Sequence, residues 1–197
     1  MEPVKPIDIE EKGSLNEGQF QAVLMGLSES ISCLTGGPGT GKSYVIGEIV
    51  KRFEGSICVC APTGKAISLF KGKLGCDVGT IHGILGIKNG KDLLFGGKAL
   101  DYEMVIVDEC SMIDVGLWAA LLRNIKKGTR VILAGDYDQL PPVEAGTIFG
   151  ELCRYMQDRG KGHVHLDQCM RSDRGEILGM AEAVKQGNMI QLGKLER

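Results

Sequence analysis

Residues 36–43 read Gly-Gly-Pro-Gly-Thr-Gly-Lys-Ser, a G-x-x-x-x-G-K-[ST] string set between an apolar run at 31–34 and a helical pattern at 44–53. No other stretch constrains the fold as strongly. A loop of this composition can turn its backbone N–H groups inward at φ values that other residues resist, and the helix after it presents its positive end to the same anion. The string therefore predicts a phosphate cradle formed by Gly37, Pro38, Gly39, Thr40 and Gly41 between a strand and a helix. Lys42 is placed to reach the β- and γ-phosphates of a nucleotide, and Ser43 to offer its hydroxyl to Mg²⁺. The competing reading is a glycine-rich turn with an incidental lysine, and it leaves the order strand, loop, helix unexplained.

Short β-branched runs at Ile57–Ala61, Met104–Val107 and 131–134 each end at polar or turn residues and read as buried parallel strands. A helix precedes the first strand, with Ser14-Leu15-Asn16-Glu17 fitting a capping box and Phe20, Val23, Leu24 and Leu27 at helical spacing. Another helix starts at Lys65. A third covers 115–125 behind an Asp114 cap, with Val115, Trp118, Leu122 and Ile125 as its apolar stripe. Residues 88–100 are glycine-rich and weakly periodic, a surface excursion, and 175–186 form a last helix. This alternation predicts an α/β fold, a doubly wound and mostly parallel sheet flanked by helices, with active groups at the strand carboxyl ends.

A hydrophobic content of 43% over 197 residues suffices for one domain with a proper core. The net charge of −2 excludes a global basic field, so any polyanion must be held by a local groove. Seven cysteines form no C-x-x-C pair, and those in runs such as Ile57-Cys58-Val59-Cys60 read as reduced, hydrophobic thiols of a reducing compartment. No apolar stretch approaches the roughly 20 residues of a membrane span. The acidic start (Asp8, Glu10, Glu11) is unlike a targeting peptide, so the expected location is cytoplasmic with no membrane partner.

Val105-Ile106-Val107-Asp108-Glu109 is a buried strand delivering two adjacent carboxylates, which is costly unless a cation or a proton transfer compensates. Asp108 reads as the Mg²⁺ partner and Glu109 as the group that orients and deprotonates an attacking water. An Asp-Glu pair after a strand also occurs as a solvated turn; downstream of a phosphate loop the chemical reading is the more specific. A further strand leads through Gly135-Asp136 to Gln139-Leu140-Pro141-Pro142-Val143, where Gln139 could hydrogen-bond a terminal phosphate or its water, unless this is only a proline-rich turn. His163 and His165 could place both rings on one strand face. With no third metal ligand near them in sequence, they are assigned no site.

Six segments in order resemble the first motor domain of the RecD-like superfamily 1 helicases: 15–19, 36–43, Ala61-Pro62-Thr63-Gly64-Lys65-Ala66, Gly79-Thr80-Ile81-His82, 107–114 and 134–146. A seventh, Leu166 to Arg171, is similar to that family's Leu-x-x-x-x-Arg element, and the Asp-Glu-x-Ser-Met and Gly-Asp-x-Asp-Gln-Leu-Pro-Pro-Val strings are far more restrictive than the phosphate loop alone. The resemblance implies a RecA-like P-loop NTPase, with 1–14 as an extension, 15–190 as the first of two motor domains and 191–197 as a tail at a truncation point. It implies that Gln19 reads the adenine edge and favours ATP, that Arg171 contacts the γ-phosphate, that Pro62, Thr63 and Lys65 lie against a single-strand backbone, and that His82 belongs to a nearby strand-binding element. A helix-surface glutamine, a solvated arginine and a core histidine remain the alternatives for Gln19, Arg171 and His82.

The implied activity is ATP- and Mg²⁺-dependent 5′-to-3′ movement on single-stranded DNA in recombination and repair. Its implied partners are the second RecA-like domain of the parent chain and the other subunits of a recombination exonuclease. The isolated chain is then expected to bind ATP-Mg²⁺ but to unwind poorly or not at all. Two other readings stay open: a P-loop ATPase subunit or remodelling module without helicase activity, and a non-catalytic nucleotide-binding scaffold, against which the intact Asp108-Glu109 pair argues.

Overall fold

The computed structural model describes residues 13–137 and 148–170. Gln139, Arg171 and the helix expected at 175–186 lie outside the described residues. Strands β1 (Ile31–Gly36), β2 (Ile57–Ala61), β3 (Asp77–Thr80), β4 (Met104–Val107), β5 (Arg130–Gly135) and β6 (His163–Leu166) form one sheet in the order β3-β2-β4-β5-β1-β6. Every pairing is parallel. All six carboxyl ends therefore lie along one edge of the sheet, as the α/β reading requires.

Helices cover both faces. α1 (Glu17–Ser28) and α2 (Lys42–Arg52) pack on one, and α4 (Ile81–Leu85), α6 (Val115–Asn124) and α7 (Ile148–Asp158) on the other. The continuous apolar run of β4 divides between them with the period of a strand. Met104 and Ile106 join Phe20, Val23, Val45 and Ile49, whereas Val105 and Val107 join Leu85, Leu117, Trp118 and Phe149. Cys33, Cys58, Cys60, Cys110 and Cys153 are all buried in that second layer, and every cysteine is free. A hydrogen bond with Cys153 and then burial raise the Cys33 thiol, the same causes with Cys58 raise Cys60, and burial raises Cys110, so these groups stay protonated and act as small hydrophobes.

Several sequence expectations shift in detail. The cap of α1 is Asn16, whose side chain accepts from Gln19 N at 2.8 Å while the Gln19 side chain accepts from Asn16 N at 3.2 Å. Ser14 instead meets the Tyr44 hydroxyl at 2.5 Å. Asp114 caps α6 as expected, through Leu117 N at 2.9 Å. The stripe of α6, however, is Leu117, Trp118, Ala120 and Leu121, with Val115 and Leu122 exposed. Two rows of this helix are apolar enough to serve, and the sheet selects the one containing Ala120, whose small side chain allows close approach. The helix expected from Lys65 is a short α3 (Gly64–Ser68), and the 88–100 excursion contains a short α5 (Gly90–Phe95). No helix among the described residues is long and apolar enough to cross a membrane.

The revised stripe separates two substitutions that the sequence treated alike. Trp118→Ala should destabilise the fold by about 3–5 kcal/mol. Leu122→Ala, at a position 56% exposed, should stay within about 0.5 kcal/mol in denaturant titrations.

Candidate active site

β1 runs straight into the phosphate loop, and α2 begins at Lys42. Gly41 caps that helix at φ 92° with no side-chain hydrogen bond, so the first-turn N–H groups have no competing cap. Only glycine suits this position twice over. The φ is left-handed, and a Cβ there would sit 2.5 Å from Gln19 Nε2. Lys42 Nζ lies in the mouth of the loop, donating to the carbonyls of Gly36 at 2.5 Å and Gly37 at 3.2 Å. Thr40 closes the loop from within, its hydroxyl donating to Gly37 O at 2.9 Å. Ser43, the residue after Lys42, is exposed.

β4 delivers Asp108 and Glu109 two strands away from β1, with β5 between. Asp108 is only 4% exposed, and burial pushes its carboxyl up from 3.8 to about 6. The Glu109 N–H, donating to Asp108 Oδ1 at 2.9 Å, pulls it back down, the Glu109 carboxylate raises it, and the Lys42 ammonium lowers it. The Lys42 charge thus acts on Asp108 across the intervening strand. Glu109 has φ 55°, the only positive value among described non-glycine residues, and its turn starts the 3₁₀ segment Cys110–Met112. A left-handed non-glycine costs about 1–2 kcal/mol and turns up at sites whose surroundings dictate it. That surrounding is tight here. A Cβ on Gly135 of β5 would meet the Phe149 ring at 2.7 Å and Cys110 N at 3.3 Å.

The donor set suits a hard cation. No cluster of three or more His, Cys, Asp or Glu among the described residues could hold a metal by itself. A buried carboxylate after β4 and a serine hydroxyl at the start of α2 are hard oxygen donors of the kind Mg²⁺ takes, one or two protein oxygens with phosphates and water completing the shell. Ser43 and Asp108 are the residues that fit such an ion.

The segments tied by resemblance to a nucleic-acid strand also converge. β2 and β3 pair through Ala61↔Thr80, so Pro62-Thr63-Gly64-Lys65 and Thr80-Ile81-His82 leave adjacent strand ends. Thr63 caps α3 through Ala66 N at 3.3 Å, leaving its hydroxyl proton available to an acceptor, and Lys65 is exposed. His82 is exposed rather than in the core.

Two features had no sequence signal. Thr35 Oγ1, buried at the end of β1, lies 2.9 Å from His163 Nε2 and 3.0 Å from His165 Nδ1, so the two rings do share one strand face, around a hydroxyl rather than a metal. Burial, and then His165, lower the His163 imidazole. The chain after β6 then crosses the phosphate loop, where Met170 N donates to Gly39 O at 2.9 Å.

Residues 14–197 match the AAA domain family. The chain belongs to that family. Within it, the chain is 35% identical over 162 residues to the RecBCD enzyme subunit RecD of Buchnera aphidicola subsp. Acyrthosiphon pisum, covering 70% of this chain and 27% of the relative. It is 36% identical over 135 residues to the ATP-dependent RecD2 DNA helicase of Deinococcus radiodurans, covering 67% and 19%. The fold matches that of Bacteroides Pif1 bound to ssDNA with a TM-score of 0.64 at 20% identity, over 89% of this chain and 47% of that one. The chain thus spans under a third of the length of these two relatives. The comparisons give an AAA-family domain with a RecA-like α/β fold, similar in sequence to RecD proteins.

Two outcomes test the carboxylate pair. Between pH 3.8 and about 6 the folded chain holds a proton on Asp108 that the unfolded chain has lost, so stability falls as pH rises through that window and the full cost applies above it. Asp108→Asn should therefore stabilise the Mg²⁺-free domain by on the order of 2 kcal/mol at pH 7.5 and by little near pH 4, read as urea midpoints. At position 109, glycine should be more stable than alanine by about 1 kcal/mol, because it alone takes the left-handed turn without strain.

Proposed function

We propose that residues 15–190 are the ATP-hydrolysing first motor domain of a RecD-like DNA helicase that moves 5′-to-3′ on single-stranded DNA in recombination and repair. The observation that carries this reading is that Lys42, after β1, and the Asp108–Glu109 pair, after β4, lie on the same carboxyl edge of the sheet, with the Lys65 and His82 tips after β2 and β3 further along it. Binding alone would require the phosphate loop. A second, strained carboxylate beside a buried one adds a base, which hydrolysis requires.

In this mechanism the open N–H groups at the start of α2 hold the phosphates, and Lys42 leaves the Gly36 and Gly37 carbonyls for the β- and γ-oxygens. Ser43 and Asp108 would hold Mg²⁺, which would supply neutralisation of the charge on the transferring phosphoryl group. Glu109, aimed by its left-handed turn, orients the attacking water and takes its proton. Gln139 and Arg171 contact the terminal phosphate in the family's manner. Pro62, Thr63, Lys65 and His82 carry the strand through phosphate contacts, which contain no sequence information. The relatives' names support the setting: one is a subunit of the RecBCD enzyme and another an ATP-dependent DNA helicase. The partners on this reading are a second RecA-like domain of the parent chain and, in the subunit arrangement, the other subunits of a recombination exonuclease. The location is cytoplasmic.

ATP turnover of the parent protein should rise on adding oligo(dT). Lys42→Ala and Glu109→Gln should each lower it by about 10²-fold or more. Lys65→Ala should weaken strand binding and flatten the log–log salt dependence by about 0.7 if the lysine neutralises one phosphate. Turnover indifferent to oligo(dT) would contradict the DNA motor and favour the remodelling ATPase.

A further inference from the structure

α6 is apolar nearly all round. Of its ten residues, only Arg123 and Asn124 carry polar side chains. A helix of that composition is normally buried on every side, yet the sheet takes only Leu117, Trp118, Ala120 and Leu121. The opposite row of Val115, Ala119 and Leu122 is left in water. The outer face of α7, on the same side of the sheet, makes the contrast: it exposes Glu151, Arg154 and Gln157, as a row that meets solvent does.

The open row is spaced four and then three residues apart, which is the seam spacing of two packed helices. Ala119 lies in its middle, where a small side chain lets a second helix come close. α5 walls one flank. A Cβ on Gly116 would meet Leu93 Cδ2 at 3.4 Å, and Arg123 donates to Leu93 O at 2.7 Å. Charge then gives the row a direction, because Arg123, Lys126 and Lys127 are all exposed at its C-terminal end. Among the described residues, the one ion pair they make is that of Lys126 with Asp101, at 2.8 Å.

We propose that the row of Val115, Ala119 and Leu122 receives an amphipathic helix of a separate partner protein, antiparallel to α6 and acidic in its first turn. Apolar residues of the partner at the same spacing cover the row. Its first-turn carboxylates lie over Arg123, Lys126 and Lys127, where attraction across the interface adds to the preference of a helix N-terminus for negative charge. A second copy of this chain lacks that complement: an antiparallel pair of α6 helices would offer each basic end only Asp114, whose carboxylate already caps α6 through Leu117 N. A nucleic-acid strand would use the cations and leave three apolar side chains in water. The inference stands apart from the nucleotide reading of the loop.

The test is selection against this chain from a displayed library of helical peptides about 18 residues long, with leucine fixed at the seam spacing and the other positions random. Enriched peptides should carry Asp and Glu in the first turn. In fluorescence anisotropy, Leu122→Gln, a change outside the core, should weaken them about tenfold. Selection on the double variant Arg123→Gln, Lys127→Gln should return peptides without the first-turn acids. An absence of binders, binders indifferent to Leu122→Gln, or first-turn acids kept on the double variant would each overturn the proposal. Three other outcomes reassign the row and overturn it too. Peptides that bind this chain but not the parent protein give the row to the parent's own packing; a dimer in sedimentation that Leu122→Gln dissolves gives it to a second copy; oligo(dT) that displaces the peptides from the wild-type chain but not from the double variant gives the basic end to a strand.

Discussion

β5 pairs with β1 on one side, through Thr35↔Gly135, and with β4 on the other, through Val107↔Leu133. Because both ladders are parallel, this single register brings the phosphate loop and the Asp108-Glu109 tip to the same level of the sheet, one strand width apart on either side of β5. A slip of one residue would turn every core side chain of β5 to the opposite face, so the buried pattern that forms the two cores also fixes the geometry of the site. The chemistry thus depends on apolar residues that touch none of it: Ile132 in the α1–α2 layer, and Val131 and Leu133 in the α6–α7 layer.

The same packing imposes the site's local costs. Asp108 is buried with a carboxyl raised to about 6, and Glu109 sits in a left-handed turn next to the close seating of Cys110 and Phe149 on Gly135. Neither feature helps the fold. Both would suit a site that takes up a cation and a water, because a bound Mg²⁺ would offset the cost of the buried carboxylate. Stability and function oppose each other at these two residues, and the rigid strands beneath them make the opposition tolerable.

Much of this was legible in the sequence, for a physical reason. Strands buried on both faces must be continuous apolar runs, so 57–61, 104–107 and 131–134 stand out, and a phosphate loop needs glycines where few other residues fit. Asp77-Val78-Gly79-Thr80 did not stand out, since its pairing with β2 comes from its neighbours and not from its own hydrophobicity. In α6 both apolar rows satisfied helical spacing, and only contact with the sheet separates Leu121 from Leu122. The Thr35–His163–His165 cluster and the Met170–Gly39 bond join residues more than 120 positions apart, and no local pattern encodes such a meeting. Gln19 is the instructive intermediate. Its position was legible, but its hydrogen-bond partners were not.

The most direct test of the account is a crystal structure of this chain with Mg²⁺ and a non-hydrolysable ATP analogue. The account predicts the β- and γ-phosphates inside the 36–43 loop, Lys42 Nζ moved from the Gly36 carbonyl to phosphate oxygen, and the ion held between Ser43, phosphate and the Asp108 side of the site, with Glu109 facing the terminal phosphorus. An analogue bound elsewhere, or a nucleotide in the loop with Lys42 still on Gly36 and Asp108 remote from the ion, would contradict it.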